Sequence, residues 1–226
     1  MKELKIILAT GAALWLQSAT CQVQTGTGSD YTFMGGNTII SSTKTEKTIG
    51  SPYLTEYYMP VTVGGQNLSV RYNAHTDEIE YKNSKGELMN MMRDPNATVE
   101  SADKQYRFIL TDYIDNEGRS FTGYLNLISD NENVKVYQRI TSTLTKQKDA
   151  ANSYQTTRPP AYKRSPDQFY IKIKENPIVY LPSKKKEIVK MFPGKETSIT
   201  DFLTQNKISL DKAEDMKKLG DFLNTL

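Results

Sequence analysis

The sequence predicts an α+β chain in which an antiparallel β-meander, open or closing toward a barrel, is followed by a small C-terminal helical unit. Three observations predict it. Short runs of alternating apolar and polar residues, separated by turn clusters, extend from Ser51 to Ile140. The connections between them are short, and neighbours joined that way are antiparallel, because a parallel crossover needs about a dozen residues. After Ser183 the apolar spacing changes to that of helices. The expected divisions are a signal peptide over 1–21, a flexible leader over 22–49, the meander over 50–145, a basic proline-containing linker over 146–166, and a β-hairpin plus helices over 167–226.

The N-terminal segment begins Met1-Lys2-Glu3-Leu4-Lys5, continues through the apolar run Ile6 to Leu16, and ends in the small polar stretch Gln17 to Cys21. Basic, then apolar, then small is the order of a secretory signal peptide. The run is too short for a bilayer, which needs roughly twenty residues. Cleavage after Ala19-Thr20-Cys21 leaves Gln22 as the new N-terminus. The competing reading makes Cys21 the lipidated first residue, against which stands Thr20 where a lipoprotein peptidase prefers Gly, Ala or Ser. Cys21 is the single cysteine, so a disulfide framework and a multi-thiolate zinc site are excluded. Gln22 to Thr48 is rich in Gly, Ser and Thr and too poor in apolar groups to offset its ordering entropy.

Within the meander, Leu68 to Tyr72 and Glu78 to Tyr81 alternate on either side of a turn over Asn73 to Asp77. Asn83-Ser84-Lys85-Gly86 is the next turn, with Gly86 suited to positive φ. Tyr106 to Leu110 and Phe121 to Leu127 flank Asp115-Asn116-Glu117-Gly118, and Val134 to Ile140 follows Asp130 to Asn133. The Gly64-Gly65 pair reads as a turn. From Lys146 to Pro166 alternation is lost and Arg158-Pro159-Pro160 and Ser165-Pro166 appear, which suits a linker or wrapping arm. Phe169 to Ile173 and Ile178 to Leu181 form a last hairpin around Glu175-Asn176-Pro177. Three helices follow: one capped by Ser183 and ending before Pro193-Gly194, one opened by Ser198 with Asp201 as a capping box, and one opened by Ser209. In the last, Glu214 and Lys218 are spaced as an i,i+4 pair.

Charge is uneven along the chain. Arg71 to Glu132 holds seven basic and twelve acidic residues, whereas Lys146 to Lys190 holds eleven basic and four acidic. Ordinary solvated faces account for both, and the sharper reading is a basic surface meeting an acidic polymer, an anionic lipid or another protein. A net charge of +3 gives no argument for nucleic acid. The tyrosines that lie on or beside strands, Tyr57, Tyr58, Tyr72, Tyr81, Tyr106, Tyr113, Tyr124, Tyr137 and Tyr170, read as sheet residues, some of them able to form a binding surface. A nucleic-acid platform would need basic neighbours where the meander is acidic.

Candidates for chemistry are few. His75 is the one histidine and falls in a turn, where an exposed structural role suits it. Glu78 and Glu80 share a strand face and with Asp77 form a conceivable hard-cation set, but the plainer reading makes them the solvent face with Ile79 inside. No calcium loop, phosphate-binding glycine loop or Gly-x-Ser-x-Gly elbow occurs. A Ser/Lys dyad is not excluded by composition. No residue is therefore assigned a catalytic, cofactor-binding or metal role, and no cofactor is expected.

Gly50-Ser51-Pro52-Tyr53-Leu54, Arg71-Tyr72-Asn73 leading to Asp77-Glu78-Ile79-Glu80, Pro166-Asp167-Gln168-Phe169-Tyr170-Ile171-Lys172, and Asn206-Lys207-Ile208 with Glu214-Asp215-Met216 form a set. Together they resemble an uncharacterised family of exported proteins from Bacteroidota, over about residues 50 to 226. A glutamine directly after the cleavage site is similar to exported proteins of that group. The resemblance implies export and a meander with a helical tail, and it supplies no activity. The expectation is an exported protein, periplasmic, outer-membrane-associated or secreted, without a transmembrane segment. It is expected to be non-enzymatic and to bind a protein or an anionic envelope component. The alternatives are an envelope-polymer hydrolase using carboxylates or a serine, and a small-molecule carrier if the meander encloses a cavity. Oligomeric state has no signature in the sequence.

Overall fold

A computed structural model describes residues 48–152 and 154–226. The expected signal peptide and all but the last two residues of the expected leader lie outside the described residues. The described chain is α+β, with twelve strands and three short helices at its C-terminal end. The strands are β1 (Met59–Val63), β2 (Gln66–Asn73), β3 (Glu78–Lys82), β4 (Leu88–Asn90), β5 (Thr98–Ser101), β6 (Arg107–Ile114), β7 (Ser120–Asp130), β8 (Val134–Arg139), β9 (Ser142–Thr145), β10 (Ala161–Arg164), β11 (Gln168–Ile173) and β12 (Val179–Leu181). The helices are α1 (Lys185–Lys190), α2 (Glu196–Gln205) and α3 (Ala213–Leu223).

Ten strands form one sheet in the order β12-β11-β8-β7-β6-β5-β1-β2-β3-β4. Local chemistry sets most of its turns. Gly64 and Gly65 both hold positive φ (55° and 82°), the requirement of a two-residue primed turn, and they place Val63 opposite Gln66. Asn83 Oδ1 accepts from the backbone N–H groups of Lys85 and Glu87, and Asp115 Oδ1 accepts from those of Glu117 and Arg119. The expected meander holds with one departure in order. The chain leaves β4 through Asp94-Pro95-Asn96 and returns beside β1, so β5 pairs with β1 and not with β4.

The sheet closes on itself into a barrel-like ring, because β12 meets β6 in parallel at Val179 and Ile114, where Ile114 N–H donates to Ile178 O. The ring consists of β6, β7, β8, β11 and β12. Alternation turns Tyr113, Leu125, Tyr137 and Tyr170 into its interior with Ile178, and these side chains fill it. Tyr113 and Tyr170 meet edge to face at 4.8 Å. The opposite faces of β8, β11 and β12 carry Val134, Val136, Phe169, Ile171 and Leu181, which bury against Ile188, Ile199, Leu203, Met216, Leu219 and Leu223 of the helices. A third cluster, including Val61, Val70, Tyr72, Ile79, Val99 and Phe108, lies under the β1–β5 part of the sheet.

The helices therefore belong to the sheet's core. Gly220 is what lets α3 approach so closely: a Cβ there would lie 2.7 Å from Val136 Cγ2 and 2.8 Å from Ser129 Oγ. Ser129 sits just beyond a bulge between Leu127 and Ser129, and its hydroxyl donates to Asp221 Oδ1 at 2.8 Å. The capping expectations fail. The residues preceding the helices are Lys184, Lys195 and Lys212, without side-chain caps. Ser198 is already inside α2, and Ser209 instead donates its N–H to Asp215 Oδ2. Lys218 pairs with Asp215 at 3.0 Å, not with Glu214. Tertiary burial, which dominates short helices, sets these boundaries.

The segment expected to be a basic linker or wrapping arm over 146–166 belongs to a projecting hairpin. Residues Ser142–Arg164 leave the ring after β8 and form β9 and β10, with a further antiparallel bridge between Lys148 and Arg158. Pro159 and Pro160 are tolerated because they fall between the Lys148–Arg158 bridge and the start of β10 at Ala161, outside both ladders. Ile49, assigned to the leader, is tied to this hairpin: its N–H donates to Pro160 O at 2.9 Å and its O accepts from Tyr162 N–H at 2.8 Å. Residues 143–152 and 154–159 are exposed. Among the described residues no helix is long and apolar enough to cross a membrane.

Candidate binding cleft

Where the β2–β3 turn, the exit of β8, the entry of β11 and the α2–α3 loop converge, the surface opens into a cleft of about 1190 Å³. Each wall comes from a different stretch of sequence. Ala74, His75 and Asp77 form one, Arg139 with Thr141 to Leu144 a second, Ser165 to Gln168 a third, and Lys185 with Ile208 to Asp211 the last. The cleft lies at the mouth of the filled ring.

Asp77 organises the first wall. Its left-handed backbone (φ 58°) turns the chain from β2 into β3. Its carboxylate accepts from Tyr72 Oη at 2.8 Å and from Tyr124 N–H at 3.2 Å to either oxygen, and Arg93 Nη2 lies 3.4 Å away. Arg93 Nη1 also donates to Asp77 O at 2.8 Å, and its guanidinium covers the Tyr124 ring at 5.2 Å. The carboxylate reaches the β7 backbone only because residue 123 is glycine: a Cβ there would lie 2.7 Å from Asp77 Oδ2. Burial raises the Asp77 carboxyl above the usual carboxylate range, although Tyr72, Tyr124 and Arg93 oppose it. Burial, followed by the neighbouring Asp77 charge, pushes the Tyr72 hydroxyl far up, and burial pushes Tyr124 to about 12.

His75 lies in the turn and is exposed, as its sequence position implies. Its Nδ1 is 3.1 Å from Ser142 O, and its ring meets the edge of Tyr162 at 5.3 Å, so it fastens the projecting hairpin to the turn. The expectation that Glu80 faces solvent is overturned. Glu80 is 3% exposed, accepting from Asn73 Nδ2 at 2.9 Å and from Arg71 Nη2 at 3.3 Å, while Ile79 and Tyr81 are also buried. Both faces of β3 are covered, one of them by Tyr53 and Tyr58 stacked on Arg71 at 3.3 and 4.9 Å. Burial and the Glu80 charge raise the Tyr53 hydroxyl to about 12. Among the described residues no group of three His, Cys, Asp or Glu side chains is placed to hold a metal ion.

A chain of buried polar groups holds the third wall. Arg107 N–H donates to Asn126 Oδ1 (2.8 Å), Asn126 Nδ2 to Gln138 Oε1 (3.0 Å), and Gln138 Nε2 to Asp167 Oδ2 (2.5 Å). Arg164 Nη2 completes it at Asp167 Oδ1, 2.6 Å away. On the floor stands Arg139, in phase with Tyr137 on the interior face of β8. It is half-buried, its Nη1 donates to Gln168 Oε1 at 3.3 Å, and its guanidinium lies 5.6 Å from the Tyr113 ring centre. Burial raises the hydroxyls of Tyr113 and Tyr170, and the Arg139 charge pulls both back. Among the described residues no carboxylate forms an ion pair with it.

The structure thus brings Asp77 and His75 to one cleft and leaves Glu78 and Glu80 out of it. Of the tyrosines, Tyr72, Tyr81, Tyr113, Tyr124, Tyr137 and Tyr170 are buried and structural, whereas Tyr57 is 64% exposed. Arg139, Gln168 and Lys185 escaped the sequence reading. The available signal was a charged residue in the inward phase of an otherwise buried strand, at the end of Val134-Lys135-Val136-Tyr137-Gln138-Arg139. Comparison with protein-family models, with characterised proteins and with solved structures finds no match for this chain.

Proposed function

We propose that the chain is an exported, non-enzymatic protein whose cleft receives an extended segment of another envelope macromolecule. The observation that carries this reading is the cleft itself: it is open, about 1190 Å³ in volume, and assembled from four separate parts of the chain at the mouth of a filled ring. A carrier would need an enclosed apolar space, and the ring interior is occupied by its own tyrosines. A hydrolase working through carboxylates would need a pair of them free to act on substrate. Of the carboxylates in the cleft, Asp77 and Asp167 spend both oxygens on internal donors, which leaves Asp211, whose Oδ1 accepts from Ser209 Oγ, without a free second carboxylate. The basic hairpin beside the cleft, with Lys146, Lys148, Arg158, Lys163 and Arg164, supports an anionic partner. Export rests on the pattern from Lys2 to Cys21.

Thr141 lines the cleft wall, so Thr141→Trp obstructs the cleft without removing any contact named above. Immobilised wild type should retain an envelope component that the obstructed variant loses. Equal retention by both places the binding surface elsewhere and refutes the cleft.

A further inference from the structure

Resting on that reading, we infer that the Arg139 end of the cleft is a subsite for a carboxylate group of the partner. A guanidinium held half-buried among tyrosines without a counter-anion has lost part of its hydration and regained none of it from a charge. Its orientation is nevertheless fixed. Nη1 is tethered to Gln168 Oε1, and one side lies against Tyr113. The Tyr113 and Tyr170 hydroxyls also hydrogen-bond this guanidinium, and Arg139 still lines the open cleft, so a guanidinium whose plane is fixed on its inner side can offer its cleft-facing edge to the two oxygens of a carboxylate.

Gln168 adds to the site. Its Oε1 accepts from Arg139 and lies 3.4 Å from Tyr170 Oη, which also donates to it. Its Nε2 hydrogens meet no acceptor among the described residues, so a ligand oxygen bound to Arg139 has a second donor beside it. The surrounding charge selects between anions. Asp77, Asp167 and Asp211 line the same cleft, and the cation on the far wall, Lys185, already donates its ammonium to Leu203 O at 3.3 Å. A dianionic phosphate would face three carboxylates with Arg139 as the one cation not so engaged. A singly charged, planar carboxylate meets the guanidinium edge-on with less repulsion.

The test uses the full chain with ¹⁵N-labelled arginine and glutamine side chains, titrated at constant ionic strength with sodium acetate, acetamide or inorganic phosphate. Acetate should shift Arg139 Nε–H and Gln168 Nε2–H₂ saturably, acetamide should not, and phosphate should act more weakly. Two larger probes separate the sources of the carboxylate: tetragalacturonate for a uronic-acid polymer, and a hexapeptide with a free C-terminus against its amide for a protein. Whichever binds should lose about tenfold or more in Arg139→Gln, the scale of one bidentate charge-assisted contact. Arg139→Lys, which keeps the charge and loses the fork, should recover only part of that loss and guards against a folding defect. Tighter saturation by phosphate, or acetate shifts that survive Arg139→Gln, overturns the carboxylate assignment. Loss of envelope capture in Thr141→Trp together with no acetate response also overturns it while leaving the cleft reading intact.

Discussion

Replacing Asp77 by alanine removes the group on which the turn, β7 and Arg93 all converge. Tyr124 N–H then has no acceptor, since both of its bonds go to this carboxylate, and a buried donor left unpaired costs about 1–3 kcal/mol. Tyr72 Oη keeps Ile140 O at 3.3 Å, and exposed Arg93 loses little. Alanine is also disfavoured at φ 58°, by about 1–2 kcal/mol relative to residues that tolerate the left-handed region. The expected destabilisation of Asp77→Ala is therefore about 2–5 kcal/mol. Asp77→Asn keeps an acceptor oxygen and tolerates the conformation, so about 1 kcal/mol is expected. Urea denaturation followed by circular dichroism reads both as midpoint shifts at constant slope. Gly123→Ala should cost less in the Asp77→Ala background than in wild type, because its added Cβ clashes with the carboxylate that the first change removes. The sign of the pH dependence follows from the raised carboxyl. The folded state holds this proton more tightly than the unfolded state, whose value is near 3.8, so wild type should gain on Asp77→Asn as pH falls through the folded pKa toward 3.8. An Asp77→Ala variant within 0.5 kcal/mol of wild type refutes the network's role. A pH slope of opposite sign refutes burial as the dominant influence on Asp77.

Gly220→Ala should destabilise by about 1–2 kcal/mol despite the better helix propensity of alanine, because overpacking against Val136 and Ser129 outweighs a propensity gain of about 1 kcal/mol; a stabilised variant in thermal melts would show that α3 does not seat this closely. His75→Ala should cost less than about 1 kcal/mol by the same melts, since it removes one exposed hydrogen bond and one ring contact, and a larger loss would mean the hairpin depends on the turn more than these contacts show. Trypsin should cut first in the hairpin at Lys146 or Lys148, since Pro159 protects the bond after Arg158, and the two fragments should stay associated under native conditions, because β11 pairs with β8 over six residues; separation would refute the closed ring. Intact mass of protein purified after export should give a chain beginning at Gln22, and a diacylglycerol-modified Cys21 would refute that cleavage.

What the sequence showed and what it hid follow one physical line. Strands such as β2, β6 and β8 alternate, and turns such as those at Asn83 and Asp115 carry their own side-chain acceptors, so both are encoded locally. β5 and β10 are four residues each: β5 makes sense only between β6 and the distant β1, and β10 only beside β9 in the separate two-stranded sheet. Glu80 read as solvent-facing because alternation about Ile79 assigns it outward, and alternation cannot see a second covering layer. Here Tyr53, Tyr58 and Arg71 supply that layer, which turns an apparently exposed carboxylate into a buried, paired one. The candidate site was hidden for the same reason. His75, Arg139, Gln168 and Lys185 stand far apart in the chain, and no spacing rule links a turn, a strand end, a strand start and a helix start. Ring closure links them: it carries the exit of β8 and the entry of β11 to one mouth, where inward alternation along β8 ends on a guanidinium that the tyrosine-filled interior has no room to bury.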